Sequence, residues 1–166
     1  MKHTTISIAV IELDHYTELS LPDKLLVDEA FEATERAFAP YSQFKVGAAV
    51  RLTNGTIVTG NNQENASYPS GLCAERVALF YASSQFPGQA VDAIAVVAKT
   101  SLTELTNPVT PCGSCRQVMA EYEQLNGQKI RVIMASPSGK TMIVEGIAAL
   151  LPLAFQADYL KKIKTN

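Results

Sequence analysis

An apolar run in the middle of the chain limits the folds that this sequence can adopt. Residues 91–99 carry apolar side chains at most positions, over the length of a single strand. A strand with one face in water would alternate apolar and polar residues instead. Continuous apolar runs of this length are typical of strands that are covered on both faces. The run therefore predicts the buried central strand of a sheet.

The patterns on either side of this run add further elements, with turn residues between them. Strands are expected over 4–13, 45–52, 56–61, 129–135 and 141–144. Helices are expected over 22–38, 73–86 and 115–125, with a last helical turn over 146–150. Strands that alternate with helices favour a layered α/β domain. The Asn54-Gly55 pair predicts a hairpin, which makes the sheet mixed. We expect one domain over 1–166, with 1–21 as an N-terminal extension that contains the first strand.

Length and charge narrow the classes of partner. A chain of 166 residues with a formal net charge of −2 lacks the basic excess that is usual in nucleic-acid binders. No apolar segment approaches the roughly 18 residues of a membrane span. Glu12 and Asp14 interrupt the apolar N-terminal stretch, and no small-residue cleavage site follows it, so no signal peptide is expected. We expect a cytoplasmic protein that binds neither nucleic acid nor membrane.

The three cysteines, Cys73, Cys112 and Cys115, form the strongest chemical signal. Each motif lies where a helix begins, and a helix N-terminus favours the thiolate that binds metal. A structural zinc site is closed by four protein ligands, whereas a catalytic one keeps three and leaves a position for water. Because no fourth cysteine exists, one catalytic zinc per chain is the simplest interpretation. A redox pair at Cys112 and Cys115, or a structural zinc module that borrows another ligand, is the alternative.

The residues next to these cysteines fit catalytic zinc. Three thiolates on Zn²⁺ leave a net charge of −1, which Arg76 and Arg116 are placed to offset. Glu75 lies two residues after Cys73 and is not needed as a ligand. A carboxylate beside the metal can take a proton from the attacking water and return it to the leaving amine. Glu75 is therefore the candidate general acid–base.

The sequence resembles the small, homotetrameric, zinc-dependent cytidine deaminases from about residue 39 to Phe155. The zinc motifs Cys73-Ala74-Glu75-Arg76 and Pro111-Cys112-Gly113-Ser114-Cys115-Arg116-Gln117 match the wider deaminase superfamily. Further matching segments narrow the resemblance to nucleoside deaminases. They are Pro40-Tyr41-Ser42-Gln43-Phe44-Lys45-Val46-Gly47-Ala48-Ala49, Asn62-Gln63-Glu64-Asn65-Ala66, Tyr68-Pro69, and Leu150-Leu151-Pro152 leading to Phe155.

The resemblance implies a fold, a reaction and a set of contacts. The fold would be a three-layer α/β/α domain around a mixed sheet of about five strands. The reaction would be zinc-dependent hydrolytic deamination of cytidine and deoxycytidine to uridine and deoxyuridine, as in pyrimidine salvage. The implied contacts are Phe44 on the pyrimidine, Asn62 and Glu64 on the ribose, Cys73, Ala74 and Glu75 on the base edge, and Phe155 in a neighbouring subunit's site.

Each of these assignments has a plainer alternative. Without the surrounding segments, Phe44 and Phe155 would be taken as core aromatics, Asn62 as a turn residue, and Arg76 as a solvated helix residue. Rival functions are a deaminase of the blasticidin S type and a polynucleotide-editing deaminase. A structural zinc module is the rival from outside the enzymes.

Overall fold

The computed structural model describes residues 1–156 and Leu160. Three α-helices and six strands follow one another in the order β1, α1, β2, β3, α2, β4, α3, β5 and β6. The strands are β1 (Ile11–Leu13), β2 (Phe44–Leu52), β3 (Ile57–Asn61), β4 (Val91–Thr100), β5 (Arg131–Ala135) and β6 (Thr141–Glu145). The helices are α1 (Leu21–Thr34), α2 (Ala74–Gln85) and α3 (Gly113–Asn126), with short 3₁₀ turns at Tyr16–Glu18, Tyr68–Ser70 and Ile147–Ala149.

The six strands form one mixed sheet in the order β1-β6-β5-β4-β2-β3. Strands β4 and β5 are parallel, and every other neighbouring pair is antiparallel. The predicted mixed sheet is confirmed, with six strands where about five were expected. The apolar run forms β4, which has a strand on both sides and seven buried residues.

Helices cover both faces of the sheet, so the predicted three-layer α/β/α architecture is confirmed. On one face, Leu26, Val27 and Ala30 of α1 pack against inward-facing residues of β2, β4 and β5. On the opposite face, α2 and α3 pack against the alternate residues of the same strands. Burial on both faces explains why β4 does not alternate. In the described part of the chain, no helix is long and apolar enough to cross a membrane.

Two predicted elements are shorter in the structure. The strand expected over 4–13 is limited to Ile11–Leu13, which pair with β6, and the apolar residues before it are exposed. The helix expected to reach residue 38 ends at Thr34. The Thr34 hydroxyl donates a hydrogen bond to the Phe31 carbonyl at 2.7 Å. Phe38 has extended backbone and forms a β-bridge with Gln63. Tertiary pairing at Phe38 therefore overrides the helical pattern.

Candidate active site

The two cysteine motifs meet because the helices that follow them begin at the same end of the sheet. Cys73 and Cys112 are the N-cap residues of α2 and α3, and both have extended backbone. Neither sulfur caps its own helix by a hydrogen bond. Cys115 lies in the first turn of α3, and the spacing of three residues places it on the same side as Cys112. The predicted helix starts at residues 73 and 115 are therefore shifted to Ala74 and Gly113.

The three sulfur atoms form a compact cluster. The Cys73 and Cys112 sulfurs are 3.8 Å apart, and those of Cys112 and Cys115 are 3.6 Å apart. All three lie within 4.8 Å of one another. Tetrahedral zinc with Zn–S bonds of about 2.3 Å requires sulfurs about 3.8 Å apart. The donor set therefore fits a single zinc ion, and among the described residues no fourth Cys, His, Asp or Glu joins this cluster.

Cys73 and Cys115 differ in their affinity for protons. Hydrogen bonds from Cys115 and Arg76 lower the pKa of Cys73 to about 5, against the opposing effect of burial. The Arg76 guanidinium lies 3.7 Å from the Cys73 sulfur. The resulting Cys73 thiolate, together with burial, raises the pKa of Cys115. Cys73 therefore ionises readily, whereas ionisation of Cys115 needs a further positive charge such as a metal ion.

Glu75 lies beside the cluster on the first turn of α2. Glu75 is only 4% exposed. Burial raises the pKa of its carboxyl group, and the negative charge of Cys73 raises this pKa further. Its side chain lines the same cavity as Cys73 and Cys112. The structure thus brings a buried carboxyl group next to the predicted metal ligands.

A cavity of about 660 Å³ opens at this cluster. This volume suits a small organic molecule. Of the predicted site residues, seven line it: Phe44, Asn62, Glu64, Cys73, Glu75, Arg76 and Cys112. Cys115 and Ala74 are fully buried behind the lining. Phe44 belongs to neither core cluster, so it is placed as a cavity wall and not as a core aromatic.

Asn62 has a structural role that the sequence did not reveal. Its side-chain oxygen accepts a hydrogen bond from the Val46 N–H at 2.8 Å, and its amide nitrogen donates to the Phe44 carbonyl at 2.9 Å. Strand β3 ends at Asn61, opposite Gly47, so residues 44–46 extend past it. The Asn62 side chain therefore supplies the hydrogen bonds that a longer β3 would have made, and it fixes Phe44 at the cavity.

Glu64 organises the part of the cavity rim that precedes β2. Its carboxylate accepts hydrogen bonds from the Ser42 hydroxyl and from the backbone N–H groups of Tyr41 and Ser42, at 2.9 and 3.2 Å. The Ser42 hydroxyl, followed by the two N–H groups, lowers the pKa of Glu64. Glu64 is therefore a fixed negative charge at the cavity rim.

Two predicted site residues lie away from the cavity. Arg116 donates to the carbonyls of Pro111 and Leu150 at 2.7 and 2.8 Å, and to the Thr110 hydroxyl at 3.3 Å. It thus holds the backbone that precedes Cys112, and its role in charge compensation stays a prediction. Phe155 is 58% exposed and lines a different depression of the surface. It fills neither the core nor the active-site cavity of its own chain.

Several cavity residues received no role from the sequence. Tyr41, Ser42 and Tyr68 lie in segments that carry the family resemblance, so a signal for them was available. Val109 and Thr110 also line the cavity, but the loop that contains them has no pattern that would have indicated it. The fold and the site together define a class of protein, an α/β domain with a three-cysteine centre of the zinc type.

Comparisons with known proteins agree with this class. Residues 21–127 match the family model described as the cytidine and deoxycytidylate deaminase zinc-binding region. The chain is 44% identical to a cytidine deaminase of Halalkalibacterium halodurans, over 81% of this chain and 95% of that protein. It is 42% identical to a cytidine deaminase of Sporosarcina psychrophila, over 81% of this chain and 92% of that protein.

Solved structures extend this agreement to the fold. The crystal structure of a cytidine deaminase from Burkholderia pseudomallei matches with a TM-score of 0.68 and 42% identity, over 79% of this chain and 97% of that one. A cytidine deaminase from Mycobacterium tuberculosis matches with a TM-score of 0.60 and 32% identity, over 80% and 95% of the two chains. The chain belongs to the cytidine and deoxycytidylate deaminase family and is an enzyme, which confirms the resemblance seen in the sequence.

Proposed function

We propose that this enzyme hydrolyses cytidine and deoxycytidine to uridine and deoxyuridine, with release of ammonia. One observation carries the proposal: the three-sulfur cluster and the buried Glu75 share a cavity with Phe44, Asn62 and Glu64. Metal ligands, a proton carrier, an aromatic surface and polar groups for a sugar are the parts that this reaction needs. The relatives that support the reaction are named cytidine deaminases.

The proposed cofactor is one zinc ion per chain, held by Cys73, Cys112 and Cys115. A zinc ion there would act as a Lewis acid that makes water a better nucleophile near neutral pH. The spacing of the sulfurs supports this assignment. Arg76 reaches the Cys73 sulfur, so we assign it to offsetting the excess negative charge of three thiolates. Arg116, which directly follows Cys115 in the sequence, is the second cation of this assignment.

Glu75 is the proposed general acid–base. It accepts a proton from the attacking water and gives it to the ring nitrogen next to the amine-bearing carbon of the pyrimidine. It then carries the second proton of that water to the leaving amine, so that water and cytidine are converted to uridine and ammonia. Its position in the first turn of α2, beside Cys73 and facing the cavity, supports this role.

The remaining predicted site residues are assigned to the nucleoside. Phe44 packs on the pyrimidine, while Cys73, Ala74 and Glu75 hold the base edge. Asn62 keeps one N–H and one lone pair beyond its two bonds to β2, and these remain for a ribose hydroxyl. The Glu64 carboxylate accepts a hydrogen bond from the second ribose hydroxyl.

The charges of the cavity favour a nucleoside over a nucleotide. Arg76 is the one cation among the described lining residues, and its guanidinium is directed to the Cys73 sulfur. The ionised Glu64 at the rim would repel a 5′-phosphate. We therefore assign the uncharged nucleoside as the substrate, with pyrimidine salvage in the cytoplasm as the proposed physiological setting.

We further propose that the enzyme is a homotetramer with shared active sites, in which Phe155 reaches the site of a neighbouring subunit. Phe155 is exposed and lies outside the cavity of its own chain. The rim residues Tyr41 and Tyr68 are 52% and 77% exposed, with ring centroids 6.3 Å apart, so the cavity presents an aromatic rim that a second chain would cover. Water exclusion by that chain would strengthen the electrostatics of the site.

One ultraviolet assay with purified protein tests the substrate assignment. Cytidine, deoxycytidine, cytosine, deoxycytidine 5′-phosphate, blasticidin S and single-stranded DNA are offered separately at equal concentration of reactive base. We expect loss of cytidine and deoxycytidine absorbance and little reaction with the other four. Preferential reaction with the phosphate, with blasticidin S or with the polynucleotide would overturn the proposal and identify the rival function.

Subunit mixing tests the shared site. Glu75→Gln chains, which lack turnover, are mixed with Phe155→Ala chains, which should have a raised KM. Mixed tetramers would contain sites that combine an intact Glu75 with an intact Phe155 from a neighbour, and low-KM activity should return. A fully active monomer by sedimentation, or no recovery after confirmed subunit exchange, contradicts the shared site.

A further inference from the structure

The loop between β4 and α3 supplies two cavity-lining residues and leads directly to the proposed metal ligand Cys112. Residues 101–111 connect the end of β4 to the Cys112 N-cap of α3. Val109 and Thr110 of this loop line the cavity next to Cys112. In the described part of the chain, the loop contains no helix or strand of its own. Its shape must therefore be held by contacts from elsewhere in the chain.

The turn between β5 and β6, residues 136–140, supplies such contacts near the middle of the loop. The buried Ser136 hydroxyl donates to the Leu105 carbonyl, and the Lys140 N–H donates to the Thr106 carbonyl at 3.1 Å. The Ser138 hydroxyl donates to the Glu104 carboxylate at 3.0 Å. Three consecutive loop residues are thus hydrogen-bonded to one turn.

The contact at Gly139 is close enough to exclude any side chain. A Cβ atom at Gly139 would overlap the Thr106 carbonyl oxygen, and it would lie 3.0 Å from the carbonyl carbon and 3.1 Å from Cα of Thr106. All three are backbone atoms, so no side-chain rotation can relieve the overlap. Gly139 is not among the glycines with positive φ. Glycine is needed at this position because the backbone approaches the loop too closely to leave room for a side chain.

A second attachment lies at the far end of the loop. Arg116 of α3 donates to the Pro111 carbonyl and to the Thr110 hydroxyl. Val109 and Thr110 therefore lie between the contacts at residues 104–106 and those made by Arg116. A displacement at Thr106 would distort Val109 and Thr110, because Arg116 holds the far end of the loop in place.

We propose that the β5–β6 turn is a positioning element of the active site, in which Gly139 and Ser136 fix residues 104–106 and thereby the cavity wall formed by Val109 and Thr110. The inference rests on the proposed function, because the wall is assigned to the nucleoside cavity. Val109 and Thr110 line the cavity but are assigned no proton transfer, so displacement of the wall should weaken substrate binding more than turnover.

The test compares the wild-type enzyme with Gly139→Ala and Ser136→Ala. We expect the KM for cytidine to rise by about tenfold in Gly139→Ala, which is equivalent to about 1.4 kcal/mol of lost binding free energy, and kcat to stay within about threefold. Ser136→Ala should show a smaller rise in KM. Should Gly139→Ala fail to fold, the Ser136→Ala variant carries the test.

Gly55→Ala is the matched control. Gly55 has a φ of 85° in the β2–β3 hairpin and no atom near its missing Cβ, so the variant loses stability by backbone strain without touching the loop. Hydrogen exchange across residues 104–110 provides a readout without substrate. It should accelerate in both turn variants, but not in Gly55→Ala, and zinc content should be equal in all four proteins.

The outcomes separate the two proposals. An unchanged KM in both turn variants, or an equal rise in KM in Gly55→Ala, overturns the positioning role. A wild-type enzyme that does not deaminate cytidine overturns the proposed function instead. In that case hydrogen exchange still decides whether the turn holds the loop, because unchanged exchange in both turn variants overturns the inference without reference to activity.

Discussion

Asn62→Ala should destabilise the fold and not merely weaken substrate binding. The side chain makes two hydrogen bonds, to the Val46 N–H at 2.8 Å and the Phe44 carbonyl at 2.9 Å. In the described part of the chain, β3 does not continue beyond Asn61, so no further strand residue can replace these two bonds. At roughly 1 kcal/mol for each bond, the free energy of unfolding should fall by about 2 kcal/mol. For a chain of this length, such a loss lowers Tm by roughly 4–8 °C.

Urea unfolding followed by circular dichroism, at one fixed protein concentration, measures this change. Gln63→Ala is the matched control, because the Gln63 side chain is exposed and donates a local hydrogen bond to the Asn61 side chain at 2.5 Å. The control should stay within about 0.5 kcal/mol of the wild type, as is usual for surface substitutions. If Asn62→Ala is equally stable and differs only in KM, Asn62 is a ribose contact alone and the strand-supporting role is wrong.

Four further predictions concern the metal, the proton carrier, the substrate and the packing of α2. Cys112→Ala should lose both zinc and activity, and metal analysis that finds full zinc in this variant would contradict the ligand assignment. Glu75→Gln should keep zinc but lose turnover by roughly 10²–10⁴-fold, as is typical for removal of a general acid–base group. Near-normal turnover would refute that role. Cytosine should be a poorer substrate than cytidine, because each polar group left unpaired costs roughly 1–3 kcal/mol; equal kcat/KM values would exclude the ribose contacts. Gly60→Ala would place a Cβ 2.5 Å from the Ala78 nitrogen, so urea unfolding should show a loss of about 1–3 kcal/mol, and wild-type stability would argue against this close packing of β3 on α2.

Local patterns in the sequence determined the elements and the chemistry. The apolar run predicted the central strand β4, because burial on both faces removes alternation. The hairpin at Gly55 follows from a residue pair that accepts positive φ, and Gly55 has a φ of 85°. The cysteine motifs predicted a metal cluster because a helix N-terminus favours the thiolate, and the structure brings Cys112 and Cys115 together with Cys73.

Contacts between residues far apart in the chain were decided only by the tertiary structure. Asp23 illustrates this: it is buried and accepts hydrogen bonds from Arg51 at 3.1 Å and Arg131 at 3.0 Å, across separations of 28 and 108 residues. No periodicity links such positions. The same holds for the contact of Gly139 with Thr106, where a missing side chain shapes a loop that leads to the active site.

The sequence therefore fixes what each segment can form and which side chains carry reactive groups, since both depend on neighbours within a few residues. It does not fix how far a helix continues, which backbone groups a side chain such as Asn62 will satisfy, or where Phe155 lies relative to its own cavity. Those outcomes depend on which surfaces meet when the sheet and its helices pack, because buried polar groups must find partners wherever the fold places them.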